Sequence, residues 1–282
     1  MQILDGKALA KQIRAEVADE IRELKTKGVT PGLAVVLVGD DPASHTYVKM
    51  KERACEEAGI YSIVHKMPDD ISQEKILETI SMMNANPNID GILIQLPLPK
   101  HIDTTKVLQA VSPQKDVDGF HPFNVGNLVL DLECFAPCTP LGVIRLLDHY
   151  DIDIKGLDAC IVGASNIVGK PMMHLLLNRF ATVDICHIYT RELASHTKRA
   201  DLLIVGVGKV NLITEEMVKE GAIVIDIGIN RLENGRLTGD VDFENVAPKC
   251  SSITPVPGGV GPMTIAMLLE NTLKAARKRV LC

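Results

Sequence analysis

The chain has no tryptophan, and with four tyrosines and five phenylalanines its aromatics amount to 3%. So few ring faces give single-stranded nucleic acid little to stack on. A formal charge of −6 also removes the positive footprint that a polyanion partner requires, so no nucleic-acid partner is expected. No apolar run approaches the ~18 residues that cross a bilayer, and the opening MQILDGKALAKQIRAEV lacks the basic-then-apolar order of a signal peptide. No membrane association and a cytoplasmic location are expected. Cysteines number seven, scattered at 55, 134, 138, 160, 186, 250 and 282. An odd, dispersed set builds no disulfide framework, and reduced thiols are the natural reading. Cys134 and Cys138 in CFAPC have no second Cys/His pair at zinc spacing nearby, so they receive no metal.

What is present is the material of two folded units. At 282 residues the default is two domains of about 100–150 residues each, and 46% hydrophobic against 23% charged residues is a globular balance. Leu9, Ile13, Val17, Ile21 and Leu24 recur at helical spacing and predict an amphipathic helix over 5–27, closed by Gly28. LAVVLVG at 33–39 reads as a buried strand. A capped helix over 41–59, a strand over 60–67, a helix over 72–86 and a strand over 90–99 follow. This alternation predicts a parallel sheet covered on both faces. The stretch 112–140 breaks the rhythm with several Pro and Gly and reads as a connector. CTPLGVIRLLDHYD restarts a helix, with Thr139 as cap and Pro140 in the first turn. A second series is then expected: strands at 158–163, 182–188, 201–206 and 222–227, helices at 168–179, 192–200 and 214–220, and a final helix over about 263–280.

ACIVGASNIVGKPMMHLLL at 159–177 has the strand, turn and helix of a dinucleotide site, but Ser165 replaces the second glycine of GxGxxG and Gly169 falls one residue late. Gly163 suits the tight turn. Ser165 can offer a hydroxyl to a phosphate oxygen, and Gly169 and Pro171 suit the helix start. The acid expected about 20 residues on is replaced by HIYTR, and Arg191 there is compatible with a 2′-phosphate, which favours NADP over NAD. LLIVGVGK (202–209) and AIVIDIGIN (222–230) also end in glycines, at the strand ends where ligands collect on open α/β sheets.

In the first unit, Tyr47 and Lys51 in YVKMK lie one helical turn apart and share a face. A lysine withdrawn from water there can act as a base, although periodicity alone does not rank Lys51 above Lys49. Gln95 in ILIQLPLP stands at a strand's carboxyl end, where it contacts either a ligand or its own loop. Asp116 and Asp118 in KDVDGFHP can chelate a metal, accept from a ligand amidine, or cap a turn. TPVPGGVGPMT at 254–264 is a rigid, glycine-rich surface able to approach a ligand closely.

YVKMK, GILIQLPLP, KDVDGFHP, GASNIVGKP and PVPGGVGPMT, in this order, resemble the bifunctional methylenetetrahydrofolate dehydrogenase/methenyltetrahydrofolate cyclohydrolase family, its bacterial members above all. The likeness runs from DGKALA to the last helix. It implies an α/β protein of two domains flanking a cleft: 1–139 binding folate, with 263–282 returning to it, and 140–262 a Rossmann-like NADP-binding domain. It also implies a homodimer acting on tetrahydrofolate one-carbon derivatives without a metal. By this resemblance Lys51 is the acid/base of the cyclohydrolase step, Tyr47 orients the folate, Gln95 positions Lys51 and Asp118 holds the pterin. Leu96 and the segment Pro257, Gly258, Gly259, Val260, Gly261 line the substrate, while Gly163, Ala164, Ser165, Arg191, Gly228 and Ile229 face the cofactor. Many relatives carry Arg where Ala164 stands, and some carry Ser where Ile188 stands, but bacterial relatives with the same GAS are NADP-linked, which keeps NADP ahead of NAD. Two α/β units around a dinucleotide cleft also suit a dehydrogenase of a small amino or hydroxy acid, or a non-catalytic dinucleotide sensor. A metal-dependent transferase using the DxD pair is a third alternative.

Overall fold

The computed structural model describes residues 1–280; Cys282, read from the sequence as a reduced thiol, lies outside them. In chain order the strands are β1 (Gln2–Ile3), β2 (Gly32–Val38), β3 (Tyr61–Met67), β4 (Gly91–Ile94), β5 (Asp158–Val162), β6 (Thr182–Cys186), β7 (Leu202–Val205), β8 (Ile223–Asp226), β9 (Asn230–Arg231), β10 (Leu237–Thr238) and β11 (Ser252–Ile253). The α-helices are α1 (Gly6–Thr26), α2 (Pro42–Ala58), α3 (Gln73–Ala85), α4 (Thr104–Ala110), α5 (Pro122–Val129), α6 (Cys138–His149), α7 (Gly169–Leu177), α8 (Leu193–Thr197), α9 (Phe243–Val246) and α10 (Val260–Arg277). The chain divides into two compact α/β units, one of Met1–Ala10 with Thr139–Thr264, the other of Lys11–Cys138 with the chain from Ile265 onward. No helix among the described residues is long and apolar enough to cross a membrane.

The 11–138 unit is built on a parallel sheet in the order β3-β2-β4. Every residue of β2 is buried, the expected state of a continuous apolar run covered on both faces. Ala34, Val36 and Val38 pack with Ile92 and Ile94 of β4 and with Ile76, Ile80 and Met83 of α3. Helix α2 starts where the Asp41 carboxylate accepts from Ser44 N at 2.7 Å, with Pro42 in the first turn, and ends at Gly59 with φ 82°. Residues 115–117 run beside β4 through the Ile92 N to Lys115 O bond at 2.7 Å and an Ile92–Asp116 bridge. Asn271 of α10 donates to Val117 O and Ala136 O, at 2.8 and 3.2 Å, which seats the last helix in this unit.

The stretch 112–140 is more than a connector, because it contains α5. Pro122 opens that helix, and His121 Nδ1 accepts from Phe123 N at 3.0 Å. Eight residues with a central glycine are too short to display a period.

In the 139–264 unit the parallel sheet runs β1-β11-β8-β7-β5-β6. Strand β6 lies on one side of β5 and β7 on the other, so the switch in strand order falls at the carboxyl end of β5, where α/β sheets take their ligands. β1 pairs with β11, and that ladder is why the first ten residues group here. Helix α6 begins at Cys138, so Thr139 is inside its first turn and not its cap; the Thr139 hydroxyl pairs with that of Thr264 at 2.9 Å. The helix expected over 192–200 shortens to α8, and the one over 214–220 is a single 3-10 turn at Glu215–Met217. Asn234-Gly235, with Gly235 at φ 81°, turns the β9–β10 hairpin.

Candidate active site

Two clusters contain the residues singled out from the sequence, one in each unit. In the 11–138 unit, Lys51 of α2 donates from Nζ to Gln95 Oε1 at 3.0 Å. Gln95 Nε2 in turn donates to Leu96 O at 2.8 Å. That second bond fixes the amide so that its oxygen, not its nitrogen, faces the ammonium. Gln95 therefore bonds its own loop, as one of its two readings had it, and presents its oxygen to Lys51. Lys49 is exposed whereas Lys51 is half-buried, a distinction the helical period does not make. Tyr47, one turn earlier, and Leu96, just past β4, are half-buried too.

Asp116 and Asp118 do different work. Asp116 accepts from Phe120 N, His121 N and Asn124 Nδ2 at 3.1, 2.8 and 2.8 Å, so it ties the turn ahead of α5. Asp118 faces Lys51 and the Cys138 thiol. Loss of solvent pushes its carboxyl up, the Lys51 charge and Cys138 pull it back, and Asp116 adds a smaller upward push. Cys138, buried, is pushed well up by burial and by Asp118 beside it. An ammonium held by an amide oxygen next to a carboxyl is an arrangement able to move one proton and grip an N–H-bearing ligand.

In the 139–264 unit the altered fingerprint resolves residue by residue. A Cβ on Gly169 would land inside contact distance of Gly163 O, so Gly169 performs the close helix–strand packing of a fingerprint's third glycine. Gly163 has φ 120°, and a Cβ there would strike Gly206 O. Ser165 has a task its position did not announce: its Oγ accepts from Val168 N at 3.2 Å and Gly169 N at 3.5 Å, closing the start of α7 while its own proton stays available to donate. Ala164 is half-buried beside it. Arg191 is exposed beyond the turn in which Thr190 N bonds His187 O at 2.9 Å.

Gly169→Ala is expected to cost about 1–3 kcal/mol of stability through overpacking and to raise the KM for a dinucleotide held at this turn. Thermal unfolding and cofactor titration check it; a parental melting temperature would contradict the packing assignment.

Gly228 follows β8, with its N donating to Asp226 Oδ1 at 2.9 Å. Burial pushes Asp226 up to about 6 despite three backbone N–H groups. Pro257 follows a cis peptide, Gly258 has φ 111°, and Gly259 N donates to Pro255 O at 2.8 Å. Val260 is buried, and a Cβ on Gly261 would touch Ile229 Cδ1 at 3.6 Å. The proline-glycine segment and Ile229 are thus neighbours within one unit.

Several residues here escape sequence reasoning. Asp240, fully buried, accepts from Val207 N, Gly208 N, Lys209 N and Asn230 Nδ2 at 2.6 to 2.9 Å, and so shapes the loop after β7. Ile167, Tyr189 and Val207 join Ile188 and Ile229, which the sequence had already brought forward, as exposed apolar side chains in the loops following β5, β6, β7 and β8. For Val207 the strand-end glycine directly before it was the available signal, while Ile167 and Tyr189 follow no glycine. Two close-packed glycines, a serine hydroxyl holding the turn into α7 and an apolar rim at a sheet's carboxyl edge fit a dinucleotide.

Comparison with known proteins agrees with this geometry. Residues 4–118 match the family model "Tetrahydrofolate dehydrogenase/cyclohydrolase, catalytic domain", and residues 137–280 match the family's "NAD(P)-binding domain". A Bifunctional protein FolD from Nautilia profundicola is 70% identical over 98% of each chain. The crystal structure of the Campylobacter jejuni FolD methylenetetrahydrofolate dehydrogenase/cyclohydrolase superposes with a TM-score of 0.98 at 57% identity, over 99% of each chain. The Trypanosoma brucei dehydrogenase-cyclohydrolase, solved with NADP cofactor and inhibitor, gives 0.96 at 35% identity, covering 99% of this chain and 98% of its own. With both halves matched and the likeness running the length of the relatives, the chain belongs to the tetrahydrofolate dehydrogenase/cyclohydrolase family.

Proposed function

We propose that this protein oxidises 5,10-methylenetetrahydrofolate to 5,10-methenyltetrahydrofolate with NADP and hydrolyses the product to 10-formyltetrahydrofolate. The observation that carries the reading is Lys51, anchored on Gln95 at 3.0 Å and facing Asp118, in a chain that also holds the glycine turn at Gly163 and Gly169.

The chemistry is set by one carbon between two nitrogens. Loss of hydride from it leaves an amidinium, whose charge both nitrogens share. NADP, when bound, supplies the hydride acceptor. Gly163, Ala164, Ser165, Gly228 and Ile229 are the residues that would hold it, and Arg191 would address its 2′-phosphate.

The amidinium carbon is electrophilic, and water adds to it. The Lys51 amine, unprotonated, takes a proton from that water and returns it to the ring nitrogen N5 as the carbon–N5 bond breaks; the second water proton goes to solvent. Gln95 keeps the amine aimed. Asp118 accepts from the amino and ring nitrogens of the pterin, Tyr47 packs on it, and Leu96 and Pro257 to Gly261 complete its lining. In this reading the 11–138 unit supplies Lys51, Gln95, Tyr47 and Asp118 to the folate, and the 139–264 unit supplies the cofactor residues and the proline-glycine segment. The enzyme works in the cytoplasm as a homodimer.

Arg191→Ala is expected to raise the KM for NADP about tenfold, the loss of roughly 1.4 kcal/mol, and to leave the KM for NAD nearly unchanged. Parallel changes with both cofactors would remove Arg191 from that role. The function as a whole is tested by supplying methylenetetrahydrofolate with NADP and following reduced cofactor and formyl product. Turnover of both supports it; cofactor binding without turnover supports a sensor instead.

A further inference from the structure

We propose that Cys160, Asp184, Cys186 and His196 form a binding site for a zinc-like divalent cation, separate from the residues assigned to folate and cofactor.

The fold assembles these four from three elements. In the β5–β6 ladder Cys160 pairs with Asp184 and Val162 with Cys186, so Cys160, Asp184 and Cys186 emerge on one face of the sheet. His196 reaches the same place from α8. Donor atoms of Asp184, Cys186 and His196 all lie within 4.8 Å of one another. Cys160 lies outside that mutual group, but its Sγ stands 3.9 Å from Cys186 Sγ, near the roughly 3.8 Å that separates two thiolates each about 2.3 Å from a tetrahedral zinc, so it completes the set by turning its side chain toward the other two donors. Two sulfurs, an imidazole and a carboxylate are a donor set that zinc accepts and magnesium does not. No local spacing announces the site, because its donors are spread over 36 positions of a strand, its neighbour and a helix.

Access and charge are also provided. A cavity of about 280 Å³ is lined by Cys160, Asp184, His196 and Arg199, while Cys186 is buried and reached only past these side chains. Asp184 Oδ2 is 2.5 Å from His196 Nδ1 and 2.6 Å from Arg199. A cation entering between carboxylate and imidazole must part them by roughly 1 Å to reach metal–ligand distances. Both side chains are 30% exposed, and α8 is only five residues long, so the adjustment is local. On binding, each thiol gives its proton to solvent. Two thiolates and one carboxylate around a divalent cation leave one negative charge, which Arg199 offsets as an outer partner of Asp184.

The test uses the full-length protein, reduced and stripped with a chelator, then titrated with Co²⁺ as the probe. One equivalent is expected to bind with a thiolate-to-cobalt charge-transfer band and the strong visible bands of four-coordinate cobalt. Zn²⁺ should displace it and Mg²⁺ should not. His196→Ala and Asp184→Asn, both at partly exposed positions, should weaken Co²⁺ binding on the order of 100-fold, and Cys160→Ser should reduce the charge-transfer band. Cys134→Ser should leave the titration unchanged. Absence of a thiolate band, its persistence in the His196→Ala/Asp184→Asn double variant, or its loss with Cys134 would each overturn the proposal.

Discussion

Replacing Lys51 with Met is expected to slow hydrolysis of methenyltetrahydrofolate by about 10²–10⁴-fold, the usual contribution of a positioned general acid/base, while folate binding stays measurable. Met preserves the length of the stem and removes the only group in the pair that can hold a proton. Gln95 keeps its bond to Leu96 O, so the loop after β4 should be undisturbed. The parental melting temperature should be retained, because Lys51 is half-buried and makes its bond to a side chain, not to the backbone. Hydrolysis at the parental rate in a folded variant would take the acid/base role away from Lys51.

Asp118→Ala is expected to weaken folate binding by about 10–100-fold, the loss of a hydrogen bond to a charged group worth about 1.5–3 kcal/mol, and to depress dehydrogenase and cyclohydrolase together. The two activities fall in step because Asp118 grips the substrate they share and takes no part in moving the proton. Cys138 and Asn271 keep their contacts with Val117, so the segment beside β4 has anchors that do not depend on Asp118. Isothermal titration with a stable folate analogue checks the affinity. Equal affinity in variant and parent would contradict the assignment, as would loss of one activity alone.

Much of this was legible in the residues. The continuous apolar run of β2 announced a strand buried on both faces, and the four-residue spacing of Tyr47 and Lys51 announced a shared helix face. Other features required the tertiary structure. Lys51 is set apart from Lys49 by its bond to Gln95, a residue 44 positions away, and no local pattern encodes that partner. Asp116 and Asp118 look equivalent in KDVDGFHP, but the amides of Phe120 and His121 take one carboxylate while Lys51 and Cys138 face the other. Ser165 read as a stand-in for a glycine's close approach; its actual bonds go to the first amides of α7. The β9–β10 hairpin went unread, because its strands of two residues are too short to alternate visibly on either side of Asn234-Gly235.

The claim that matters most is that one substrate carbon is first stripped of hydride and then hydrated by a step that needs the Lys51 amine. Methylenetetrahydrofolate carrying ¹³C at the bridging carbon, given to the Lys51→Met variant with NADP and followed by NMR, tests it directly. The label should advance to the methenyl signal in step with reduced cofactor and stop there, while in the parent it passes on to the formyl signal. A formyl signal growing at the parental rate in the variant would contradict the account.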